Sequence, residues 1–397
     1  MKLDSADRPG FVALLAAAAL LTLVFAVESP FATFTHDSDY AVYRDAAVAL
    51  VHGRAIYGPL PTGPFTYPPF AGLLAAPLAY VDFDVGRSIL TALSLGALLL
   101  SVALCVELAG AVRPGRRFWA AVLAFTALAL LLEPVNATLL EGQINLLLLL
   151  MVLVDLRRRP TRGLPRGLLI GLAAALKLTP GIFIPYLALT GRLKAAGVAL
   201  AAFGCSIAVG FLVIPGQAWE FWTRLVFDTR RVGGPEYVGD QSLLGLLVRL
   251  AGSDRAGHVA WVAAVIAVLV IGLALAVRLS RGGHELLAAG VCGTTELLIC
   301  PVSWTHHWVW ALPLGIGLVL AAFTERASRR PLWLLAAAAW LILFWLAPVW
   351  WVWSPPAGAL HRDVVDVLAK NSYVWAGLAA LGALAAWSWL GQRPRHL

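Results

Sequence analysis

Long apolar runs recur along this chain, and short clusters of arginine separate them. The clusters stand at Arg113, Arg116 and Arg117; at Arg157, Arg158 and Arg159; at Arg278 and Arg281; and at Arg326, Arg329 and Arg330. In a bilayer every backbone polar group must bond within the protein, so apolar runs of roughly 20 residues cross it as helices. Here 60% of the residues are hydrophobic and 13% are charged, against about one quarter charged in soluble proteins. The sequence therefore predicts an all-α polytopic membrane protein.

The arginine clusters also predict the orientation of the chain. Basic loops stay on the cytoplasmic side, so the net charge of +8 belongs to these loops and does not indicate nucleic-acid binding. Threading the runs on this basis predicts about 12 crossings, with both termini cytoplasmic and a first helix at about Phe11 to Val27. We expect one membrane domain over 1–397, with large external segments at 30–69 and 215–242.

Two stretches do not fit a simple crossing. Residues 133–145 are rich in acids and amides and are predicted as an external loop. The segment 167–189 has basic residues at both ends, so a single crossing would contradict the charge bias. Because proline interrupts a helix, we expect a hairpin broken near Lys177, Thr179 and Pro180.

The first external segment contains HDSDYAVYRDAAVALVHG at 36–53. Apolar residues at helical spacing predict about three helical turns from Tyr40 that lie in the plane of the membrane interface. The expected apolar face consists of Val42, Ala46, Ala49 and Leu50. Asp39 has two interpretations that remain open at this point, a helix N-cap or a general base at the membrane surface.

Other polar residues stand beside or within apolar runs. Tyr67 in FTYPPF either marks the entry to the next helix or contacts an acceptor sugar. Side chains that can bond to sugar hydroxyls are Glu133, Glu141, Gln143 and Asn145. Lys177, one of four lysines, is embedded in an apolar run, so it either pairs with an internal carboxylate or binds a phosphate. Glu296 is a second such charge, and Lys177 or an arginine could pair with it.

The stretch SWTHHWVW contains the adjacent histidines His306 and His307. Neighbouring side chains of a helix point in different directions, so the two make a poor metal pair. Their setting among tryptophans, at the predicted outer face, favours contact with a phosphate or a sugar. The four cysteines have no metal-ligand spacing and are predicted to be small core residues. We expect neither a metal nor a cofactor.

A series of motifs in fixed order resembles glycosyltransferase family 87. They are DYAVY at 39–43, FTYPP at 65–69, EP at 133–134, GQIN at 142–145, KLTP at 177–180, DQ at 240–241 and SWTHHWVW at 303–310. The resemblance covers nearly the whole chain and implies a GT-C type fold with a long first external loop. It also implies transfer of mannose from a polyprenol-phosphate-mannose donor, by α-(1→2) linkage, to phosphatidylinositol mannosides or lipomannan. The sequence departs from the family pattern at Cys300 and Glu296.

The resemblance implies roles for individual residues. Asp39 stands at the position of the catalytic aspartate, and we expect it to deprotonate the 2-hydroxyl of the acceptor mannose in a single inverting displacement. The residues expected to bind the donor phosphate are Lys177, His306, His307, Arg230 and Arg231. Those expected to contact the acceptor are Tyr43, Tyr67, Glu141, Gln143 and Gln241. A departing phosphate needs no proton, so one carboxylate suffices, unlike in glycosidases.

Two other functions remain open from the sequence. An arabinofuranosyltransferase that uses decaprenyl-phosphate-arabinose would need the same base and phosphate site. A lipid or sugar transporter is a different class, but transporters commonly show internal repeats, and no convincing repeat occurs here. The expected partners are the lipid-linked donor, a membrane glycolipid acceptor and the plasma-membrane bilayer, with the active site on the extracytoplasmic side.

Overall fold

The computed structural model describes residues 39–157, 163–252, 254–324, 327–351 and 363–390. Within these ranges the chain is helical, apart from turns and an isolated bridge between Asp240 and Trp304. The predicted first helix, the beginning of the first external segment and both chain ends lie outside the described residues. The chain divides into two compact units, Met1–Ile184 with Leu193–Val232 and Pro185–Arg192 with Gly233–Leu397. The prediction of one membrane domain stays a prediction.

The first unit is made of α-helices and short 3-10 turns. In chain order they are α1 (Asp39–Val51), α2 (Pro69–Ala75), α3 (Phe83–Ala109), α4 (Arg116–Leu130), α5 (Glu133–Glu141), α6 (Asn145–Leu156), α7 (Leu168–Leu176), α8 (Phe183–Leu189), α9 (Leu193–Val213) and α10 (Pro215–Thr223). Turns of 3-10 helix occur at Ala76–Tyr80, Thr179–Ile182, Leu225–Phe227 and Thr229–Arg231. Helix α8 begins in this unit and continues past its boundary at Ile184.

The second unit contains the remaining helices. They are α11 (Leu243–Ala251), α12 (Asp254–Arg281), α13 (Glu285–Ile299), α14 (Ala311–Thr324), α15 (Arg330–Leu346), α16 (Val364–Lys370) and α17 (Ser372–Leu390), with 3-10 turns at Thr305–Trp310, Ala327–Arg329 and Pro348–Trp350. Helix α13 packs against α12 and α14, and every residue from 285 to 298 is buried. Because it is buried on every side along these residues, α13 forms the centre of this unit.

Five helical stretches of the described residues are long and apolar enough to cross a bilayer. They are Phe83–Ala109, Leu193–Val213, Gly257–Arg281, Thr305–Thr324 and Arg330–Trp350. A sixth crossing results if α4 and α5, which are bent by 72° at their junction, form one broken span. The chain is therefore a polytopic membrane protein, as predicted. The count of about 12 crossings stays a prediction.

The segment 133–145, which was predicted to be external, contains a helix that its polar composition did not indicate. Most of it is helix α5, in which Glu133 is buried. Pro134 stands in the first turn, and Gly142 ends the helix in the left-handed conformation with φ 68°. Proline at the start and glycine just past the end are helix boundary signals, which the polar composition of the segment concealed. Similarly, the predicted second external segment begins with a helix, α10, that has Pro215 in its first turn.

The break predicted near Lys177 is confirmed. Helix α7 ends at Leu176, and Lys177 is extended, with φ −148° and ψ 129°. A 3-10 turn at Thr179–Ile182 follows, with Pro180 in its first positions. Proline disfavours helical conformation in the residue before it and donates no backbone hydrogen bond. The interruption leaves the Lys177 side chain at a helix end instead of on a helix face.

Helix α1 is confirmed, but its buried face differs from the predicted one. The buried residues are Tyr40, Tyr43, Ala46, Ala47 and Ala49, whereas Val42 and Leu50 are half-buried. Two tyrosines three residues apart extend the alanine face by one turn. Helix α1 packs with this face against α2 and the turn Ala76–Tyr80. Its main apolar contact is therefore with protein, and the core beside it includes Ile56, Phe65 and Tyr67.

Candidate active site

The site begins where α5 ends. A Cβ added to Gly142 would stand 2.7 Å from the Cβ of Tyr40, and the residue has φ 68°. Both conditions require glycine. This close approach of α5 to α1 brings the following residue, Gln143, into the interior, where it is 3% exposed.

Gln143 joins two separate parts of the chain to Asp39. Its Nε2 donates to Oδ2 of Asp39. Its Oε1 lies 2.8 Å from the hydroxyl of Tyr43 and 3.0 Å from that of Tyr67. The reverse amide orientation would place two oxygens face to face at Asp39. The contacts therefore define which end of the amide meets the carboxylate.

The two tyrosines complete this network. Their hydroxyl oxygens are 2.7 Å apart. The two hydroxyl groups therefore have two hydrogens for three contacts. One tyrosine donates to Gln143, and the other donates either to Gln143 or to the first tyrosine. Burial raises the pKa of both Tyr43 and Tyr67, and the charge of Asp39 raises it further. Both phenols therefore stay neutral donors at physiological pH.

Lys177 lies close to the ring of Tyr67. Its Nζ donates to Oδ1 of Asn145 over 2.9 Å and stands 5.6 Å from the centre of the Tyr67 ring. Its charge also acts on Asp39. The structure thus gives Lys177 an amide, an aromatic face and a carboxylate in its surroundings. Asn145 was predicted only as a residue that can bond to sugar hydroxyls, and its contact with Lys177 was not predicted.

Asp39 is the first residue of α1 and is half-buried. Burial raises the pKa of its carboxyl, whereas the hydrogen bond from Gln143 and the charge of Lys177 both lower it. A carboxylate whose pKa is raised in this way accepts a proton more readily than a free aspartate does. Of the predicted site residues, the first unit brings together Asp39, Tyr43, Tyr67, Gln143 and Lys177.

The segment that carries Tyr67 is held by Tyr57 and Arg231, which were not predicted to support it. The hydroxyl of Tyr57 donates to the carbonyl of Tyr67 over 2.9 Å. Arg231 donates to the carbonyl of Phe65 over 2.9 Å, and its guanidinium lies 5.5 Å from the centre of the Tyr57 ring. Arg231 was expected at the donor phosphate, and in the structure it supports the backbone beside Tyr67.

The other two predicted residues of this unit lie outside the Gln143 network. Arg230 is exposed in the turn Thr229–Arg231. Glu141 is half-buried at the end of α5, and its charge acts on Arg87. Arg87 donates to the carbonyls of Leu139 and Leu140, so it holds the last turn of α5. Its place in the first turns of a long apolar run was the sequence signal that could have identified it.

Gln241 lies in the second unit and is completely buried. Its Nε2 donates to the carbonyls of Val238 and Lys370, each over 2.7 Å. Its Oε1 accepts from the backbone nitrogen of Tyr373. An acceptor sugar would have to displace these bonds, so the geometry favours a role for Gln241 in holding the fold.

His306 and His307 also lie in the second unit. In the 3-10 turn Thr305–Trp310 the two rings touch edge to face, with centres 4.7 Å apart. Neighbouring side chains of a 3-10 turn point about 120° apart, so this ring contact does not make the two histidines a metal pair. The tryptophans expected at a cavity mouth differ from that expectation, because Trp308 and Trp310 are buried in the core.

The four cysteines and Glu296 differ in how deeply they are buried. Cys105 and Cys292 are buried, as expected of core residues, and Cys300 is half-buried. The prediction of a core position is wrong for Cys205, which is exposed on α9, a candidate span with only 22% of its window buried. It therefore belongs to the surface that such a span presents to lipid. Glu296 is buried within α13.

Comparison with known proteins supports the resemblance seen in the motifs. A sequence profile described as glycosyltransferase family 87 matches residues 65–301. This chain belongs to glycosyltransferase family 87. The match includes Tyr67, Gln143 and Lys177, whereas Asp39 and the two histidines lie beyond its ends.

Individual relatives of this family 87 enzyme extend the match. A polyprenol-phosphate-mannose-dependent alpha-(1-2)-phosphatidylinositol mannoside mannosyltransferase of Mycobacterium tuberculosis (strain ATCC 25618 / H37Rv) is 34% identical over 366 residues, which cover 86% of this chain and 83% of the relative. A pentamannoside mannosyltransferase from the CDC 1551 / Oshkosh strain is 34% identical, with coverage of 90% and 84%. A mannosyltransferase of Mycolicibacterium smegmatis is 33% identical, with coverage of 86% and 82%. No solved structure matches significantly.

Proposed function

We propose that this family 87 enzyme transfers mannose from a polyprenol-phosphate-mannose donor to the 2-hydroxyl of a mannose on a membrane glycolipid. The acceptor class is a phosphatidylinositol mannoside or a lipomannan derived from it. The single observation that carries the proposal is the cluster of Asp39, Gln143 and Lys177, which places a carboxylate, its orienting amide and a cation together. The names of the relatives support the donor and the linkage.

Asp39 acts as the general base in this proposal. Gln143 donates to Oδ2 of its carboxylate and so orients it, and this carboxylate takes the proton from the acceptor hydroxyl. That hydroxyl oxygen attacks the anomeric carbon as the bond to the donor phosphate breaks, so the configuration inverts. The proton goes to Asp39 and the electron pair of the broken bond goes to the phosphate oxygen. Tyr43 and Tyr67 hold Gln143 in place.

Lys177 supplies the positive charge for the departing phosphate. A lysine ammonium is a compact charge suited to a phosphate oxygen, and charge stabilisation of this kind usually makes the largest contribution to lowering a barrier. Its bond to Asn145 and its position over the Tyr67 ring hold it within reach of the base. We place the reaction on the extracytoplasmic side, because the arginine clusters separate the cytoplasmic loops from the segment that carries Asp39.

The alternatives now have less support. The relatives are named as mannosyltransferases, which favours mannose over arabinose as the transferred sugar. Family membership favours an enzyme over a transporter. For the second unit we propose separately that His306 and His307 contact the donor phosphate. Replacement of either residue by alanine should then raise the donor KM while the protein level is unchanged.

Replacement of the base is the decisive experiment. In membranes supplied with labelled polyprenol-phosphate-mannose and a phosphatidylinositol mannoside acceptor, Asp39→Asn should lower transfer by at least about a hundredfold, because general-base catalysis contributes that much or more. Asp45→Asn is the matched control, since Asp45 stands on the same helix and bonds only to Thr62 among the described residues. Transfer by Asp39→Asn at the level of this control, with normal expression, would disprove the assignment.

The role of Lys177 is tested in the same assay. Lys177→Met should raise the donor KM by about tenfold, the loss expected for one charge-assisted contact, and should lower kcat. Lys370→Met is the control, because Lys370 pairs with Asp366 over 2.6 Å in the second unit. A loss of thermal stability in Lys177→Met with an unchanged donor KM would show that Lys177 only balances the charge of Asp39.

A further inference from the structure

An open apolar groove runs along the second unit between α14, α15 and α17. Its volume is about 530 Å³, within the range of pockets that hold small ligands. Helix α17 lines it with Ala376, Ala379, Ala380 and Ala383, whose small side chains leave the space, and Trp333 and Trp340 of α15 form the facing wall. Ala379 and Ala383 are exposed, so the groove is accessible from the side.

One end of the groove is polar. Arg329 lines it there, is half-buried, and makes no hydrogen bond or ion pair with the part of the chain that the structure describes. Trp387 lines the same end, because its ring packs on Trp333, one turn along from Arg329, with ring centres 5.0 Å apart. The indole nitrogen of Trp387 is buried and finds no acceptor among the described residues. A cation and a donor thus stand unsatisfied at the head of an apolar channel.

The structure assigns this groove to an anionic glycerophospholipid. One acyl chain would lie along the alanine face of α17, and the headgroup phosphate would bind Arg329 at the end of the groove that Trp387 also lines. Such a ligand has an apolar chain for the apolar length of the groove and a negatively charged phosphate for its polar end. Basic pockets between transmembrane helices on the cytoplasmic side bind anionic headgroups in the same way.

The dimensions and the orientation distinguish this ligand from the substrates of the enzyme. The helical path from Arg329 to Leu343 is about 20 Å at 1.5 Å per residue, shorter than the hydrocarbon core of about 30 Å. That length suits one acyl chain and not a long polyprenyl chain. The sequence predicts Arg329 in a cytoplasmic cluster and Asp39 on the outer side, so the lipid would come from the inner leaflet. This inference does not depend on the transfer reaction.

Lipid-dependent stability and native mass spectrometry test the assignment on the full chain in detergent. Phosphatidylglycerol should raise the thermal midpoint by several degrees and remain bound, whereas phosphatidylcholine with the same acyl chains should do so weakly. Arg329→Gln should weaken the apparent affinity for phosphatidylglycerol by about tenfold, as expected for a lost charge-assisted contact. Ala380→Leu, which fills the groove, should abolish the effect.

Matched variants separate this site from general attraction of anionic lipid to basic protein. Arg330→Gln removes the same charge one residue further on, at a side chain that bonds to the carbonyl of Ala322. Ala386→Leu adds the same volume on an exposed part of α17 outside the groove. Both should respond to phosphatidylglycerol as the unchanged chain does. Equal losses in Arg329→Gln and Arg330→Gln, equal stabilisation by both lipids, preferential retention of polyprenyl phosphate, or a protein dimer that seals the groove would each overturn the assignment.

Discussion

Gln143 uses both ends of its amide, and this division of contacts defines the site. The nitrogen end serves Asp39 and the oxygen end accepts from the tyrosine pair. A residue with only a donor or only an acceptor could not satisfy both sides. Because Gln143 is almost completely buried, an unmatched end would also carry a desolvation cost of about 1–3 kcal/mol. The amide therefore holds the carboxylate in one orientation and lowers its pKa at the same time.

Removal of this amide should change the pH dependence of transfer. Loss of the Gln143 hydrogen bond removes a contribution that lowers the pKa of Asp39, so in Gln143→Leu the carboxyl stays protonated up to a higher pH. The acidic limb of kcat/KM against pH, which reports the free enzyme, should then move to higher pH. Tyr43→Phe, which leaves the Asp39 contact in place, should leave that limb unchanged. A uniform fall in rate across the pH range would instead indicate a purely structural role for Gln143.

At the scale of elements, buried polar contacts join segments that the helices alone would leave loose. Asp240 accepts from the backbone nitrogen of Ser303 over 2.8 Å and from the hydroxyl of Ser242. Arg249 of α11 donates to the carbonyls of Asp240, Pro235 and Tyr237. The segment before α11 is thus tied to the segment before the two histidines. Burial raises the pKa of Asp240 to about 6 and lowers that of Arg249 to about 10.

This tie predicts a pH-dependent contribution to stability. Between about pH 4 and 6 the folded chain binds more protons at Asp240 than the unfolded chain does, so stability falls as pH rises through this window. In Asp240→Asn the dependence should disappear. The thermal midpoint of the unchanged chain minus that of Asp240→Asn should therefore decrease from pH 4 to pH 7. Asp84→Asn, at an exposed position, should show a constant difference, and a constant difference for Asp240→Asn as well would refute the prediction.

At the scale of the whole molecule, the sequence was sufficient for the class of structure. Apolar runs separated by basic clusters predicted a helical membrane protein, and the break at Lys177 followed from Pro180. Helix boundaries in polar segments were missed, as α5 and α10 show, because composition outweighed the proline and glycine signals. The buried face of α1 was also missed, because two tyrosines joined the alanine face and only packing shows that their rings turn inward.

The sequence by itself determined the family, the helical membrane architecture and the candidate base at Asp39, because motif order and hydropathy are properties of the chain read in one dimension. Only the tertiary structure decided that Gln143 bonds to Asp39 from 104 positions away, that Lys177 meets Asn145, and that Arg231 supports the backbone at Phe65. These contacts depend on close packing of helices that are distant in sequence, such as the approach that Gly142 allows. Hydrogen bonds act over about 3 Å, and no linear pattern specifies which distant side chains come that close.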